Sequence, residues 1–218
     1  MGIFSAVLDL LFPEKCPFCR RLLQKDEDGL CAACAKDLPF THAGGKQSGS
    51  FYDLCVSPLW YEEKVRDAML RFKFGGVSAY AKTFGKMIAD CVRENLDGQY
   101  DLISWVPLSA KRLKKRGYDQ AKLLAEAAAL TLGDTAVKTL EKFVDVPAQS
   151  GTGGAAQRRA NISGAYRAAD AERIAGKRIL LIDDIVTTGS TLSECARILR
   201  GAGAEKVVCA TLARTRET

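Results

Sequence analysis

The chain has 218 residues, of which 47% are hydrophobic and 27% charged, and its formal net charge is +6. This composition is typical of a folded globular protein, long enough for one medium domain and a small appendage, and it argues against long disordered stretches. The longest apolar runs fall far short of a membrane-spanning helix.

The first twelve residues are apolar, and they contain neither a basic residue nor a small-residue cleavage site. They predict a short amphipathic helix and not an export signal. Four later cysteines fall within apolar patterns and are expected to be buried thiols. Together these features predict a reducing, cytoplasmic setting without a membrane span. The four cysteines are Cys55, Cys91, Cys195 and Cys209.

Two C-x-x-C pairs, Cys16 with Cys19 and Cys31 with Cys34, are separated by eleven residues. Two such pairs can grip one Zn²⁺ from two sides, and four thiolates complete a closed tetrahedral site, so this zinc would be structural. Metal binding would then supply much of the folding free energy of a short ribbon. A redox dithiol at either pair, or two disulfides, are the alternatives.

Composition divides the chain into three parts. Residues 1–40 are expected to hold the N-terminal helix and the zinc ribbon, and residues 51–218 the larger domain. Between them, residues 41–50 are rich in Gly and Ser and are typical of a linker.

The larger domain alternates strand and helix patterns, which predicts an α/β fold with a mainly parallel sheet covered by helices on both faces. Helix 61–74 should bury Val65, Met69, Leu70 and Phe72. Residues 145–161 show little periodicity and are expected to be a long loop, which is uncommon in a compact domain unless it is functional or disordered. The predicted strands are 51–60, 101–106, 137–144, 179–182 and 206–213; the predicted helices are 61–74, 78–96, 119–132 and 190–201.

The run from Lys111 to Arg116 places five cations within six residues. Such a run is compatible with a solvated face, a nucleic-acid patch or a clamp for pyrophosphate. It contains no aromatic residues of the kind that stack on bases. Charge alone does not decide between these readings.

The most informative segment is 179–191, where a short apolar strand is followed by two acids, small hydroxyl residues and a helix starting near Ser190. Ligands of open α/β sheets bind beyond the carboxyl ends of the strands. Amide groups at a helix start cradle phosphate, and Gly189 allows close approach of the backbone. Further hydrogen-bond donors come from the hydroxyls of Thr187, Thr188, Ser190 and Thr191.

Asp183 and Asp184 narrow the choice of ligand. Two carboxylates would repel a bare phosphate, but they suit a ligand that also presents sugar hydroxyls or carries Mg²⁺. A ribose 5-phosphate meets both conditions, and the sequence contains no G-x-x-x-x-G-K-[ST] run of a nucleoside triphosphate site. An ordinary βα unit with a polar turn is the alternative.

These thirteen residues resemble the signature of the phosphoribosyltransferases, whose ligand is phosphoribosyl pyrophosphate (PRPP). Nearly the whole chain resembles the ComF (competence protein F) family, which joins an N-terminal zinc ribbon to a type I phosphoribosyltransferase domain. Besides the signature, the resemblance rests on the two C-x-x-C pairs and on segments 106–109, 116–121, 157–161 and 164–166.

The resemblance implies a role for each segment of the site. Asp183 and Asp184 would hold the ribose hydroxyls, and residues 187–191 with Gly189 would bind the 5-phosphate. The turn Pro107, Leu108 and Ser109 would meet pyrophosphate, with Lys111 or Arg112 nearby. A mobile loop carrying Arg158 or Arg159 would close over PRPP and its Mg²⁺.

Two functions follow from the resemblance. The first is Mg²⁺-dependent transfer of phosphoribosyl from PRPP to an unidentified nitrogen acceptor, with release of pyrophosphate. The second is a non-catalytic accessory role in DNA uptake during natural transformation, with single-stranded DNA and a helicase-like protein as partners. Binding of PRPP or another ribose 5-phosphate is expected in both.

Overall fold

The computed structural model describes residues 13–144 and 164–216 of the chain. Five parallel strands form the central sheet in the order β1-β7-β6-β3, and β2 also pairs with β7. Two further strands, β4 and β5, form a separate antiparallel pair. The strands are β1 Leu54–Val56, β2 Leu59–Trp60, β3 Leu102–Trp105, β4 Leu140–Lys142, β5 Tyr166–Ala168, β6 Arg178–Val186 and β7 Lys206–Arg214.

Helices cover both faces of this sheet, and the predicted α/β class with a mainly parallel sheet is confirmed. Within the described ranges, no helix combines the length and the apolar character needed to cross a membrane. The helices are α1 Ala32–Asp37, α2 Glu63–Phe74, α3 Tyr80–Leu96, α4 Ala110–Arg116, α5 Gln120–Leu132, α6 Ala171–Ile174 and α7 Ser190–Gly201, with a 3-10 turn at His42–Gly44.

The central strands β6 and β7 are apolar along most of their length because side chains on both of their faces are buried, as in other parallel sheets. One face packs against α2, α3 and α5, and the other packs against α7. The sheet therefore separates two hydrophobic clusters, and residues next to each cluster surround the carboxyl ends of the strands.

Several element boundaries differ from the predictions. The strand expected at 179–182 continues to Val186, so both acids of the signature lie within it. The strand expected at 51–60 is interrupted at Ser57 and Pro58, and proline cannot donate to a sheet ladder. The basic run forms helix α4, for which no element was predicted.

Helix α2 also corrects one predicted core residue. Its buried side consists of Val65, Ala68, Met69 and Phe72, which follow the spacing of one helical face. Leu70 is 42% exposed because it lies off that stripe.

Residues 41–50, the expected linker, lie against the sheet domain. Gln47 pairs with Cys55 of β1, and the Ser57 N–H donates to the Gly44 carbonyl at 2.7 Å. The Arg214 guanidinium of β7 donates to the Gly45 carbonyl at 2.9 Å. The predicted domain boundaries stay a prediction, and the expected helix in 1–12 and loop arginines Arg158 and Arg159 lie outside the described residues.

Candidate ligand site and zinc centre

The candidate ligand site is located where β6 extends beyond the end of its neighbour β3. The last paired residues are Ile182 and Trp105, and the Val106 N–H still donates to the Ile182 carbonyl at 3.0 Å. Pro107 then ends this edge, whereas β6 stays paired with β7 as far as Val186. Asp183 and Asp184 therefore lie beside an open edge at the carboxyl ends of the strands, where ligands of such sheets bind.

The two acids face opposite sides of the sheet because successive side chains of a strand alternate. Asp183 lies on the side of Tyr166 of β5 and Cys195 of α7, both of which sense its charge. Asp184 lies on the side of α2, where Lys73 reaches it. The two carboxylates thus bracket the strand, and the Asp184 N–H donates to the Asp183 carboxylate at 2.8 Å.

Asp183 has the most perturbed carboxyl of the site. Burial and the neighbouring charge of Asp184 raise its pKa well above the usual range. The backbone N–H of Asp184 and the charge of Lys73 lower it only in part. Such a carboxyl retains its proton more readily than an exposed one, and a cation or hydroxyl group arriving beside it would favour its ionised form.

Lys73 and Arg116 place positive charge beside Asp184. The Lys73 ammonium lies 2.9 Å from the Asp184 carboxylate, and both side chains are at least four-fifths buried. The Arg116 guanidinium lies 4.9 Å above the ring of Phe74 and donates to Gln120 at 2.7 Å. Burial lowers the pKa of Arg116, while the charge of Asp184 opposes that shift. This side of the site therefore contains two cations next to one acid.

The turn after β6 leads directly into α7. Gly189 adopts φ +71°, and a Cβ there would lie 2.6 Å from the Tyr52 hydroxyl oxygen, so glycine is required on two grounds. The hydroxyl oxygens of Thr188 and Ser190 lie 2.8 Å apart. Amide groups in the first turn of a helix have no acceptor within the helix. The predicted helix start at Ser190 is confirmed, while the exposed Thr187 and the half-buried Thr191 flank the turn.

The turn Pro107–Ser109 is hydrogen-bonded to the side chain of Asp119. The Asp119 carboxylate accepts from the Leu108 N–H at 2.9 Å and caps α5 by accepting from Lys122 N–H at 3.2 Å. Ser109 is buried and caps α4. Asp119 thus connects the turn to α5, and Ser109 connects it to α4.

The two cations predicted next to that turn differ in their surroundings. Arg112 is half-buried. Burial of Tyr166 raises the pKa of its hydroxyl, and the positive charge of Arg112 opposes that shift. Arg112 therefore lies on the same side as Asp183. Lys111 is exposed on α4.

Some residues at this edge were not predicted as site residues. Lys73 ends a helix far from the signature, and only the Gly-Gly that follows Phe74 marks its position as unusual. Asp119 is recognisable as a helix N-cap, but its second bond to Leu108 depends on the tertiary fold. Tyr166 was noted only as part of the family-like segment 164–166, and Tyr52 carries no local signal.

The four N-terminal cysteines form one cluster. The Sγ atoms of Cys16, Cys19, Cys31 and Cys34 all lie within 4.8 Å of one another. The Sγ atoms of Cys19 and Cys31 are 3.6 Å apart, much farther than the length of a disulfide bond of about 2 Å. All four are free thiols, which does not support the disulfide reading.

The donor set of this cluster suits zinc. Four sulfur ligands in one closed group are typical of structural zinc sites. Burial raises the pKa of Cys31, but hydrogen bonds, first that of the Cys34 N–H, outweigh it and lower the pKa to about 6. A thiol of this kind readily supplies the thiolate that the metal requires.

Two families match the chain. The family described as Phosphoribosyl transferase domain matches residues 116–218, and the Double zinc ribbon domain matches residues 7–50. The described fold and the cysteine cluster agree with both. The larger part of the chain is thus a phosphoribosyltransferase-like domain, and its N-terminal part is a zinc ribbon with a structural metal site.

Relatives match along nearly the whole chain. Competence protein F of Haemophilus influenzae is 28% identical, over 93% of this chain and 98% of the relative. Competence protein ComFC of Streptococcus pneumoniae is 30% identical, over 88% and 91%. DNA utilization protein YhgH of Salmonella typhimurium is 28% identical, over 94% and 99%. By sequence and by domain composition, the chain belongs to the competence protein F family.

Proposed function

We propose that the protein binds PRPP with Mg²⁺ at the open edge of β6 and transfers its phosphoribosyl group to a nitrogen acceptor, releasing pyrophosphate. One observation supports this proposal above others. Asp183 and Asp184 adjoin a turn that presents hydroxyl groups and the amide groups of a helix start, where a phosphorylated sugar would find partners for both of its ends.

In the proposed complex, the 5-phosphate binds the turn Thr187–Thr191. The ribose hydroxyls donate to Asp183 and Asp184. Pyrophosphate faces Pro107–Ser109 and Arg112, with Lys111 at the outer rim. Lys73 would exchange its contact with Asp184 for one with pyrophosphate, and Arg158 or Arg159 stays a prediction for the loop outside the described residues.

Mg²⁺ fits this donor set, since it binds through one or two carboxylates together with substrate phosphates, and it would neutralise charge on the departing pyrophosphate. The incoming nitrogen belongs to the acceptor, so no protein nucleophile is needed. The chain contributes positioning and electrostatics. Asp184 would stabilise the positive charge that develops on the sugar, while Arg112 and Lys73 hold the leaving group.

Calorimetric titration with PRPP and Mg²⁺ tests the binding step. Asp184→Asn should weaken PRPP binding about tenfold to hundredfold, because hydrogen bonds to a charged group contribute about 1.5–3 kcal/mol. Asp97→Asn, at an exposed carboxylate after α3, is the matched control and should bind as the wild type does. Equal affinities of wild type and Asp184→Asn, or no binding by the wild type, would contradict the proposal.

A pyrophosphate-release assay across nitrogenous bases and amines tests the transfer step. Release that depends on one acceptor and is lost in Asp184→Asn would support catalysis. Binding of PRPP without release for any acceptor would instead favour a second function.

The second candidate is a non-catalytic accessory protein for DNA uptake, in which PRPP binding persists without turnover. The names of the relatives, competence protein and DNA utilization protein, favour it. Helix α4 offers a specific contact surface, since Lys111, Lys114 and Lys115 are exposed on it. Single-stranded DNA and a helicase-like protein are the proposed partners.

A further inference from the structure

We propose that Arg71 couples the zinc ribbon to the PRPP site, so that zinc binding and PRPP binding strengthen one another. The inference rests on the proposed PRPP binding and assigns Arg71 as a positioning residue. It follows from the contacts of four consecutive residues, 71–74, in the last turn of α2.

Arg71 connects this turn to the first knuckle of the ribbon. Its Nη2 donates to the Pro17 carbonyl at 2.8 Å and to the Phe18 carbonyl at 3.1 Å. Both carbonyls lie between the zinc ligands Cys16 and Cys19. The Arg71 Nε is buried and, within the described part of the chain, has no hydrogen-bond partner. The position of this guanidinium therefore depends on the two knuckle carbonyls.

Of the next three residues, Phe72 adds a second link to the knuckle, and Lys73 and Phe74 connect the same turn to the ligand site. Phe72 packs on Phe84 at 5.5 Å between ring centres, and Phe84 also packs on Phe18 of the knuckle at 5.6 Å. Lys73 pairs with Asp184. Phe74 lies under the Arg116 guanidinium.

Zinc fixes the knuckle that supplies the acceptors of Arg71. Without the metal, the Pro17 and Phe18 carbonyls lose their fixed positions, and a partly buried guanidinium left without acceptors is costly. The last turn of α2 would then relax and displace Lys73 and Phe74 from the ligand site. Since coupling between two sites is reciprocal, bound PRPP must strengthen zinc binding at equilibrium by the same factor.

Two measurements on the full chain test this coupling. Arg71→Met should keep one zinc per chain by metal analysis, yet bind PRPP with five- to a hundredfold lower affinity, the usual range for coupled sites. Arg71→Lys, which restores one donor, should recover part of the affinity. In the wild type, PRPP with Mg²⁺ should reduce the fraction of zinc that a chromogenic chelator removes at equilibrium, relative to Mg²⁺ alone. In Arg71→Met this effect should disappear.

Lys64→Met is the matched control. Lys64 lies in the first turn of the same helix and pairs with Asp37 of the ribbon, but that exposed pair is far from the last turn. This variant should keep both the PRPP affinity and the effect of PRPP on zinc transfer.

The outcomes separate this inference from the function on which it rests. Wild-type PRPP affinity in Arg71→Met, loss of zinc from that variant, or no effect of PRPP on wild-type zinc transfer would each overturn the coupling alone. Absence of PRPP binding in the wild type would overturn the proposed function as well. If Arg71→Met does not fold, the zinc-transfer measurement on the wild type decides.

Discussion

Asp183 and Asp184 follow one another in the sequence, yet they have different electrostatic surroundings. Asp184 has a cationic partner in Lys73, whereas the half-buried Asp183 lies beside a second carboxylate and accepts from the backbone N–H of Asp184. In the free protein, ionisation of the Asp183 carboxyl is therefore unfavourable. A ligand that brings Mg²⁺ or hydroxyl donors would stabilise the ionised form. The arrangement thus lowers the stability of the free protein and favours ligand binding.

Asp183→Asn should therefore stabilise the free protein increasingly as pH rises. Because the pKa of Asp183 is raised in the folded state, the folded chain binds more protons than the unfolded chain between the two pKa values, and its stability falls with pH there. Asparagine removes this contribution. Thermal unfolding at about pH 5 and about pH 8 should show a larger advantage of the variant at the higher pH.

Asp97→Asn, at an exposed carboxylate outside the candidate site, serves as the comparison and should give no such advantage. A stability difference between Asp183→Asn and wild type that is constant with pH, or that shrinks as pH rises, would contradict the assignment of the buried charge to Asp183.

At this scale the sequence predicts the acids and the glycine, because they form one continuous motif. Gly189 is fixed by its own φ and by contact with Tyr52, and the motif already contains it. Lys73 could not be predicted in the same way. Its role depends on the packing of α2 against β6, which no local pattern specifies.

Among the elements, strand β6 shows why boundaries are harder to predict than the existence of an element. Two carboxylates in a row suggested that the strand ends at Ile182, but β7 continues to pair with it as far as Val186. The loss of β3 as a neighbour, and not the end of β6, exposes the acids. The sequence contains the polar residues but not the unequal lengths of the neighbouring strands.

Helix α4 is an element that the sequence did not predict, because its charged residues show no apolar periodicity. Five cations gave no apolar periodicity, yet Ser109 caps the start and Gly117 ends the helix with φ +81°. Arg112 and Arg116 face partly inward, while three lysines stay exposed. The run therefore divides into an inner pair near the ligand site and an outer lysine surface.

If the outer surface binds single-stranded DNA, Lys114→Gln with Lys115→Gln should lower the affinity and flatten its salt dependence. Each phosphate contact in a single strand contributes about 0.7 to the slope of log affinity against log salt, so losing two should reduce the slope by about 1.4. Fluorescence anisotropy with a labelled oligonucleotide at several salt concentrations measures this.

Lys177→Gln, at an exposed lysine before the opposite end of β6, should leave the slope unchanged. PRPP affinity should also stay at the wild-type value in the double variant, because Arg112 and Arg116 remain. An unchanged slope in the double variant would argue against α4 as the DNA-binding surface.

For the whole molecule, the main feature that the sequence did not specify is the contact between the ribbon and the larger domain. Cys16, Phe18, Cys31, Cys34 and Leu38 belong to the same hydrophobic cluster as the buried side chains of α2 and α3. The Gly/Ser-rich composition of residues 41–50 predicted a linker but not this docking, because composition reports on backbone freedom and not on contacts. The aromatic contacts that join the ribbon to the helices are invisible in local sequence.

This shared core predicts that damage to the ribbon destabilises the larger domain. Phe18→Ala should lower the free energy of unfolding of the whole chain by about 3–5 kcal/mol, the usual cost of deleting a buried phenylalanine side chain. Both tryptophans, Trp60 and Trp105, lie in strands of the larger domain, so their fluorescence during denaturant unfolding reports on that domain. Zinc removal by a chelator should shift the same transition downward.

Leu22→Ala is the control within the ribbon, since Leu22 is 51% exposed and its loss should change the free energy of unfolding by about 0.5 kcal/mol or less. Independent units would behave differently: the tryptophan transition would then be identical in wild type, Phe18→Ala and zinc-free protein. A common shift in the last two would instead mean that the ribbon and the sheet domain unfold together, which is the mechanical condition for zinc to influence the ligand site through α2.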